Sequence, residues 1–248
     1  MGEFLHNLLG DQTYQFYVAF FEEKMYRYLW TGLQWTLGLT VIALIIGFLI
    51  GIFIAVVQIT EIKKKKGNIL QNLLYYIMKF LKWVTNLYVY IIRGTPSALQ
   101  IVLIWTVVFA TVDIDRLVVG GIAFGINSGA YMAELIRAGI MGVDKGQLEA
   151  GRSLGLSYKD TMIHIIFPQA FKEMLPAFVS EFITLIKETA IISFIGGKDL
   201  MKAQSIMLNQ TYNALQPLLI VGVCYLIITS ILTFALRKLE KKLNSKGR

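Results

Sequence analysis

The stretch LGLTVIALIIGFLIGIFIAVV, residues 37–57, carries no charged side chain and is almost wholly aliphatic. It lies within a longer uncharged run that spans residues 28–60. Crossing the hydrocarbon core of a bilayer takes roughly 20 mostly apolar residues in a helix, because every backbone polar group must be satisfied within the segment. The stretch therefore predicts a membrane-spanning helix, in which Gly38, Gly47 and Gly51 are expected to allow close contact with another helix.

Four more apolar stretches follow along the chain. They are Trp83 to Val112, Leu117 to about Ile140, Leu175 to Ile195, and Ala214 to Leu236. The first of these is interrupted by Arg93, Gly94, Thr95 and Pro96, and a helix is expected to break there because glycine and proline are poor helix formers. With 56% hydrophobic residues, 16% charged residues and a mean hydropathy of +0.60, the chain is expected to be an all-α membrane protein with five transmembrane helices.

Basic residues set the expected orientation, because lysine and arginine in short loops are retained on the cytoplasmic side. An extracellular amino terminus and a cytoplasmic carboxyl terminus leave only Lys24, Arg27, Arg116, Lys198 and Lys202 outside. Residues 1–28 are then an extracellular or interfacial segment, 29–239 the transmembrane domain and 240–248 a basic cytoplasmic tail. The net charge of +8 follows from topology and from contact with anionic membrane lipid, so no nucleic-acid partner is needed to explain it.

Signatures of catalysis are missing from the sequence. No Gly-x-x-x-x-Gly-Lys-Ser/Thr phosphate loop is present, so any ATP hydrolysis is expected in a separate chain. His6 and His164 are isolated, and Cys224 is the single cysteine. The pattern predicts no enzyme, no metal site and no cofactor bound by this chain.

The expected cytoplasmic loop 142–172 is polar and regular. Lys145 to Leu154 has helical composition, Gly155 is suited to end that helix in a left-handed conformation, and Ser157 opens a capping box for a second helix that runs to Pro168. The small residues Ala150, Gly151 and Gly155 would leave a flat surface for another protein. From composition alone, an ordinary structured loop remains an equal alternative.

The same loop carries the pattern Glu149-Ala150-Gly151, three residues, Gly155, nine residues, Ile165, one residue, Phe167-Pro168. It resembles the EAA motif of ABC importer permeases, with departures at Gly151 and Phe167. Further segments resemble the polar amino acid branch of that family, which takes up histidine, glutamine or arginine. These segments are Arg93 to Pro96, Asn127 to Tyr131, Lys145 to Gln147, Pro168 to Ala170, and Lys187 to Thr189, and the resemblance extends from about Gly32 to Leu239.

This resemblance implies a type I ABC importer permease fold in a bacterial cytoplasmic membrane. The expected assembly has two permeases, identical or sister chains, on two ATPase subunits that hold ATP and Mg, with an extracellular substrate-binding protein that delivers the amino acid. Glu149, Ala150, Gly151, Gly155 and Pro168 would couple the permease to the ATPase. The resemblance does not identify the amino acid.

Polar residues inside two of the predicted spans mark the candidate translocation path, since such residues are costly in lipid unless they are paired or face a cavity. Asn127, Tyr131 and Glu134 share one helical face, and the spacing places Glu181 and Thr184 together on another. All five are predicted to bind substrate.

Other polar residues in the spans have structural or alternative explanations. Lys187 and Glu188 are expected to form structural ion pairs, and Arg93 to Pro96 are expected to form a helix break or gate. A carboxylate at Glu181 would favour a basic amino acid as cargo. An ion-coupled secondary amino acid transporter is the alternative function, because it also explains intramembrane charges, although it does not explain the EAA-like loop.

Overall fold

A computed structural model describes residues 11–64 and 67–245, and these residues form helices and short connections. The predictions for residues 1–10, Lys65, Lys66 and residues 246–248 lie outside the described residues. The helices are α1 (Asp11–Phe21), α2 (Tyr26–Ile59), α3 (Ile69–Gly94), α4 (Ser97–Leu103), α5 (Arg116–Gly142), α6 (Lys145–Ser153), α7 (Tyr158–Thr161), α8 (Phe167–Glu188), α9 (Leu200–Thr211) and α10 (Leu215–Ser245). A π-helical turn follows α4 at Ile104–Val108 and another follows α7 at Met162–Ile166, while Thr189–Ile195 extends α8 as a 3-10 helix.

Within the described residues, two helices are long and apolar enough to cross a membrane: α2, and α10 over Leu215–Leu243. A third candidate is the pair Ile69–Gly94 and Ser97–Val108, whose two parts meet at an angle of 109°. Helices α5 and α8 are also long, but they carry the polar side chains singled out above and are not among these candidates.

Several boundaries differ from the sequence expectation. Helix α3 begins at Ile69, well before Trp83. The second helix of the loop does not end at Pro168, because α7 continues through its π-turn into α8 without a break. Pro168 comes just after this π-turn, where the regular hydrogen bonds between residues i and i−4 are already interrupted, so its missing backbone N–H costs little.

The core forms where α2 crosses α5. A Cβ atom added to Gly51 would lie 2.5 Å from Cβ of Met132, and one added to Gly47 would lie 3.0 Å from Cβ of Ser128. The predicted close contact is therefore confirmed for Gly47 and Gly51. It was wrong for Gly38, where no described atom of another helix lies within 4 Å of an added Cβ, because nine residues of helix place it on the face opposite Gly47.

The helix ends gather in two groups. At one end, Nε of Arg116 donates to the carbonyl oxygen of Ile195 at 2.9 Å, and both carboxylate oxygens of Asp199 cap the start of α9. Burial raises the pKa of Asp199 to about 6. At the other end, Ala55, Val143 and their neighbours form an apolar cluster beneath the loop that contains α6 and α7.

Candidate functional site at the broken helix

The break between α3 and α4 is held by a buried glutamine. Thr95 and Pro96 have extended backbones between Gly94 and Ser97. Nε2 of Gln100 donates to the carbonyl oxygens of Ile92 at 2.8 Å and Thr95 at 3.1 Å, and to Oγ1 of Thr95 at 2.7 Å. The side chain of Gln100 thus supplies hydrogen bonds that the interrupted backbone cannot.

The polar face of α5 points at this break. Nδ2 of Asn127 donates to Oε1 of Gln100 at 2.9 Å. The guanidinium of Arg93 lies over the ring of Tyr131, 5.4 Å from its centroid, and 3.6 Å from a carboxylate oxygen of Glu134. The structure therefore brings the three α5 residues predicted to bind substrate into one cluster with the residues predicted to form a break or gate.

Glu134 bridges two arginines. Its carboxylate accepts from Nη2 of Arg137 at 2.8 Å and from Nε of Arg137 at 3.1 Å, while Arg93 lies at the longer distance given above. The side chain of Arg93 is 45% exposed and that of Glu134 is 27% exposed. A half-exposed ion pair of this kind contributes about 1 kcal/mol or less, so Arg93 can exchange partners at low energetic cost.

The predicted residues on α8 lie beside this cluster. Oγ of buried Ser128 is 3.4 Å from a carboxylate oxygen of half-buried Glu181, which links α5 to α8. Thr184 is exposed. No carboxylate lies within 4.0 Å of Lys187 among the described residues, where the ion pairs involve Glu134. The structural ion pairs expected for Lys187 and Glu188 stay a prediction.

The cytoplasmic loop has the predicted turn chemistry. Gly155 has a φ of +84°, in the left-handed region, after α6 ends at Ser153. Oγ of Ser157 accepts from the backbone N–H of Asp160 at 3.1 Å and caps α7. These two predictions are confirmed.

The surface of the loop differs in one respect from the expectation. Glu149, Ala150 and Gly155 are exposed, but Gly151 is buried. A Cβ atom added to Gly151 would lie 2.5 Å from Cγ2 of Thr161. Gly151 therefore holds α6 against α7 from the inside, and the exposed surface is formed by its neighbours.

Four residues at the site were missed by sequence reasoning. Gln100 and Ser128 are polar residues inside apolar stretches, and that same signal could have found them. Arg137 was assigned to the cytoplasmic end, and its partner Glu134 lies three residues earlier, a helical pair spacing that could have indicated the bridge. The hydroxyl of Tyr88 donates to the carbonyl oxygen of Ile126, which the sequence does not indicate.

Most of the chain matches a known protein family. Residues 67–245 match the model of the family described as binding-protein-dependent transport system inner membrane component. The chain belongs to this family and is a permease subunit of an ABC importer, a membrane protein with a transport role.

Individual relatives agree with the family. The chain is 37% identical over 216 residues to the arginine transport system permease protein ArtQ of Bacillus subtilis, an alignment that covers 86% of this chain and 91% of that protein. It is 38% identical over 213 residues to a putative glutamine transport system permease protein GlnP of Rickettsia conorii, covering 84% of this chain and 89% of that protein.

Solved structures show the same architecture. The chain matches a crystal structure of an amino acid ABC transporter with histidines at 38% identity and a TM-score of 0.77, over 89% of this chain and 96% of that one. An inward-facing structure of the MetNI methionine ABC transporter matches with a TM-score of 0.69 at 22% identity, over 89% of this chain and 98% of that one. The second match bears on the fold alone.

Proposed function

We propose that this chain forms, with an identical or sister permease, the membrane path for polar amino acids, and that it works on two separate ATPase subunits with an extracellular substrate-binding protein. The relatives named for arginine and glutamine support this cargo class. In this proposal Arg93, Tyr131 and Glu134 form a gate across the broken helix. Asn127, Tyr131 and Glu134 become accessible to cargo when the gate opens, while Glu181 and Thr184 line the path.

A zwitterion needs donors for its carboxylate and acceptors for its ammonium group. The half-exposed Arg93 can supply the first, and the half-buried Glu181 the second. Lys187 and Glu188 would find ion-pair partners in the second permease. ATP and Mg would be bound by the ATPase, and the chain itself would hold no cofactor.

The observation that carries the proposal is the loop of α6 and α7. It is a compact helical knob whose helices are fixed to each other by Gly151 and Thr161, and its α7 continues directly into α8. Movement of the knob is therefore transmitted to the helix that carries Glu181. Glu149, Ala150, Gly155 and Pro168 would transmit force from the ATPase, with Gly151 as the internal contact.

Replacing Gly155 by Val tests this coupling. A side chain at a left-handed position strains the backbone by roughly 1 to 2 kcal/mol, and it also adds bulk to the exposed turn. We expect ATP-driven uptake in reconstituted vesicles to fall by about fivefold or more, since 1 kcal/mol of lost association corresponds to a factor of about 5. Association with the ATPase, measured by co-purification, should fall with it.

Gly67 provides the matched control. It has a φ of +80° and lies in the loop between α2 and α3, and no described side chain or neighbouring backbone lies within 4 Å of an added Cβ. Gly67→Val introduces the same strain outside the knob, so uptake should stay within about twofold of the unaltered protein. Full uptake by Gly155→Val, or equal losses in both variants, would contradict the coupling role.

We also propose five spans in a bacterial cytoplasmic membrane, with the amino terminus outside. The spans are α2, the broken pair α3 and α4, α5, α8 and α10. The two groups of helix ends support this, because the end with Asp199 carries the few basic residues expected outside. In a Cys224→Ser background, Lys198→Cys should react with an impermeant thiol reagent in intact cells, and Lys159→Cys only after permeabilisation. The reverse labelling pattern would overturn the topology.

A further inference from the structure

An open cleft of ≈ 600 Å³ lies between α8 and the second half of α10. Its lining comprises Ile183, Lys187, Thr229, Ser230, Thr233, Phe234, Arg237, Lys238 and Lys241. The α10 members recur at intervals of one and three residues, so they form one stripe along that helix. The lining contains four cations and three hydroxyl groups but no carboxylate.

The cations of this cleft are unpaired within the described residues. Arg237, Lys238 and Lys241 are exposed and have no carboxylate within 4.0 Å there, and the same holds for Lys187. The single acidic residue of α10, Glu240, lies on another side of the helix, among apolar residues that include Leu236 and Leu243. Arg237, Lys238 and Lys241 therefore form a concentrated positive surface, with no carboxylate among the residues that line the cleft.

The hydroxyl groups differ in what they can offer. Oγ1 of Thr229 and of Thr233 donate to carbonyl oxygens of their own helix, so these hydroxyls remain available only as acceptors. Ser230 is exposed and forms no hydrogen bond in the part of the chain that the structure describes. It is a free donor about 10 Å along α10 from Arg237, so it suits an ester oxygen further along a lipid than its phosphate.

The position of the cleft on α10 indicates that a phosphate bound there would belong to a membrane lipid. Little of the apolar part of α10 is buried inside the chain, so most of its surface is free to contact lipid. From Ser230 to Lys241 the cleft extends about 17 Å along the helix at 1.5 Å per residue. The cations of α10 lie where its apolar stretch ends. The apolar side chains of Ile183 and Phe234 lie further along the lining.

We propose that this cleft binds the phosphate of an anionic phospholipid, with the headgroup on Arg237, Lys238 and Lys241 and the acyl chains along the exposed apolar surface of α10. Basic pockets between membrane helices are suited to such headgroups, and each nearby cation contributes to the attraction. The inference rests on the proposed placement of this end of the chain at the cytoplasmic membrane surface.

The test is lipid retention by the full-length permease, with its partners, reconstituted in nanodiscs of phosphatidylcholine with a minor fraction of phosphatidylglycerol. After transfer to detergent, native mass spectrometry counts the bound lipids. We expect phosphatidylglycerol to be enriched over its fraction in the nanodisc. The variant Arg237→Gln/Lys238→Gln/Lys241→Gln should lower this enrichment by about tenfold or more, since each cation near the surface is worth about fivefold.

A matched variant removes three charges at the same end of the molecule but outside the cleft: Lys145→Gln/Arg152→Gln/Lys159→Gln. These residues are exposed on α6 and α7, and their loss should leave the enrichment unchanged. Unchanged retention in the cleft variant, or an equal fall in the matched variant, would overturn the proposal.

Two further arms separate lipid from other occupants. Millimolar glycerol 3-phosphate has the same phosphate chemistry without acyl chains, so complete displacement of phosphatidylglycerol by it would show a site for soluble phosphate instead. Efficient disulfide formation between two copies of Ser230→Cys, in a Cys224→Ser background, would show that a second chain covers the cleft. Both leaflets have one composition and no cargo is involved, so reversed topology or failed transport would leave the lipid count unaffected.

Discussion

The two faces of α5 are held by different kinds of interaction. Toward α2, glycines and alanines allow close approach, and a Cβ atom at Gly125 would lie 2.6 Å from Cβ of Ile46. Toward the broken helix, Asn127, Tyr131 and Glu134 contact polar and charged partners, some of them half-exposed. Helix α5 thus packs against α2 through complementary shape, and against the broken helix through hydrogen bonds and charge.

The difference indicates which contact can change during transport. Closely packed surfaces tolerate almost no displacement, because van der Waals attraction is lost within a fraction of an ångström. A charged residue such as Arg93, 45% exposed and 3.6 Å from its carboxylate partner, can move to another partner with little loss. We therefore expect α2 and α5 to move as one unit, and the break between α3 and α4 to rearrange.

The largest effect is expected from a substitution that disrupts the close packing of α2 against α5. In Gly51→Leu the new side chain would meet Cβ of Met132 at 2.5 Å and the backbone nitrogen of Ala133 at 3.1 Å. Because backbone atoms cannot move aside, we expect a loss of about 3 kcal/mol or more. The measurement is the thermal unfolding midpoint in detergent, together with the fraction of chain that stays monodisperse.

The control for this prediction is Gly222→Leu, also in an apolar membrane helix. Gly222 is exposed on α10, with no atom within 4 Å of an added Cβ. Its replacement should change the stability by less than about 0.5 kcal/mol. Comparable losses of stability in Gly51→Leu and Gly222→Leu would contradict the close packing of α2 against α5.

An intermediate effect is expected on the polar face of α5. Gln100→Leu removes the acceptor of Asn127 and the donor to Thr95. Hydrogen bonds between membrane helices contribute about 0.6 to 2 kcal/mol each, so we expect a loss of about 1 to 3 kcal/mol. Thermal unfolding again measures it, and Thr106→Val is the control because its bond is confined to one turn of helix.

A double-variant cycle sharpens this prediction. If Gln100 and Asn127 stabilise the break through each other, Gln100→Leu/Asn127→Leu should cost less than the sum of the two single changes, because neither amide is then buried without the other. Strict additivity would show that the two amides act independently.

The sequence was sufficient for features that depend on local chemistry. The apolar run of residues 37–57, the break at Gly94 to Ser97, the left-handed Gly155 and the cap at Ser157 are each determined by a few neighbouring residues. The shared face of Asn127, Tyr131 and Glu134 was also predictable, because helical spacing alone establishes it.

Features that depend on partners distant in sequence were less accessible. Nothing in the sequence places Gln100 against Asn127, or Gly151 inside the loop against Thr161, because side-chain direction depends on how the helices cross. The failure at Gly38 has the same origin: a glycine allows close contact only if another helix lies on its face. The ion pairs expected for Lys187 and Glu188 stay a prediction, because the sequence does not indicate which helix stands opposite them.

The smallest expected effect concerns selectivity, on the α8 side of the cluster. Glu181 is half-buried, and its hydrogen bond to Ser128 is long at 3.4 Å, so its carboxylate retains capacity for a cation. Glu181→Gln keeps the shape and removes the charge, so uptake of arginine should fall about fivefold more than uptake of glutamine, as expected for one partly exposed ion pair of about 1 kcal/mol.

Exposed Glu173 on the same helix is the matched control, and Glu173→Gln should reduce uptake of both amino acids equally or not at all. The comparison requires reconstituted vesicles with the ATPase, so that ATP hydrolysis confirms intact coupling. An equal loss of uptake for both amino acids would contradict the charge preference but not the role of Glu181 in the path. Unaltered uptake of both would contradict that role as well.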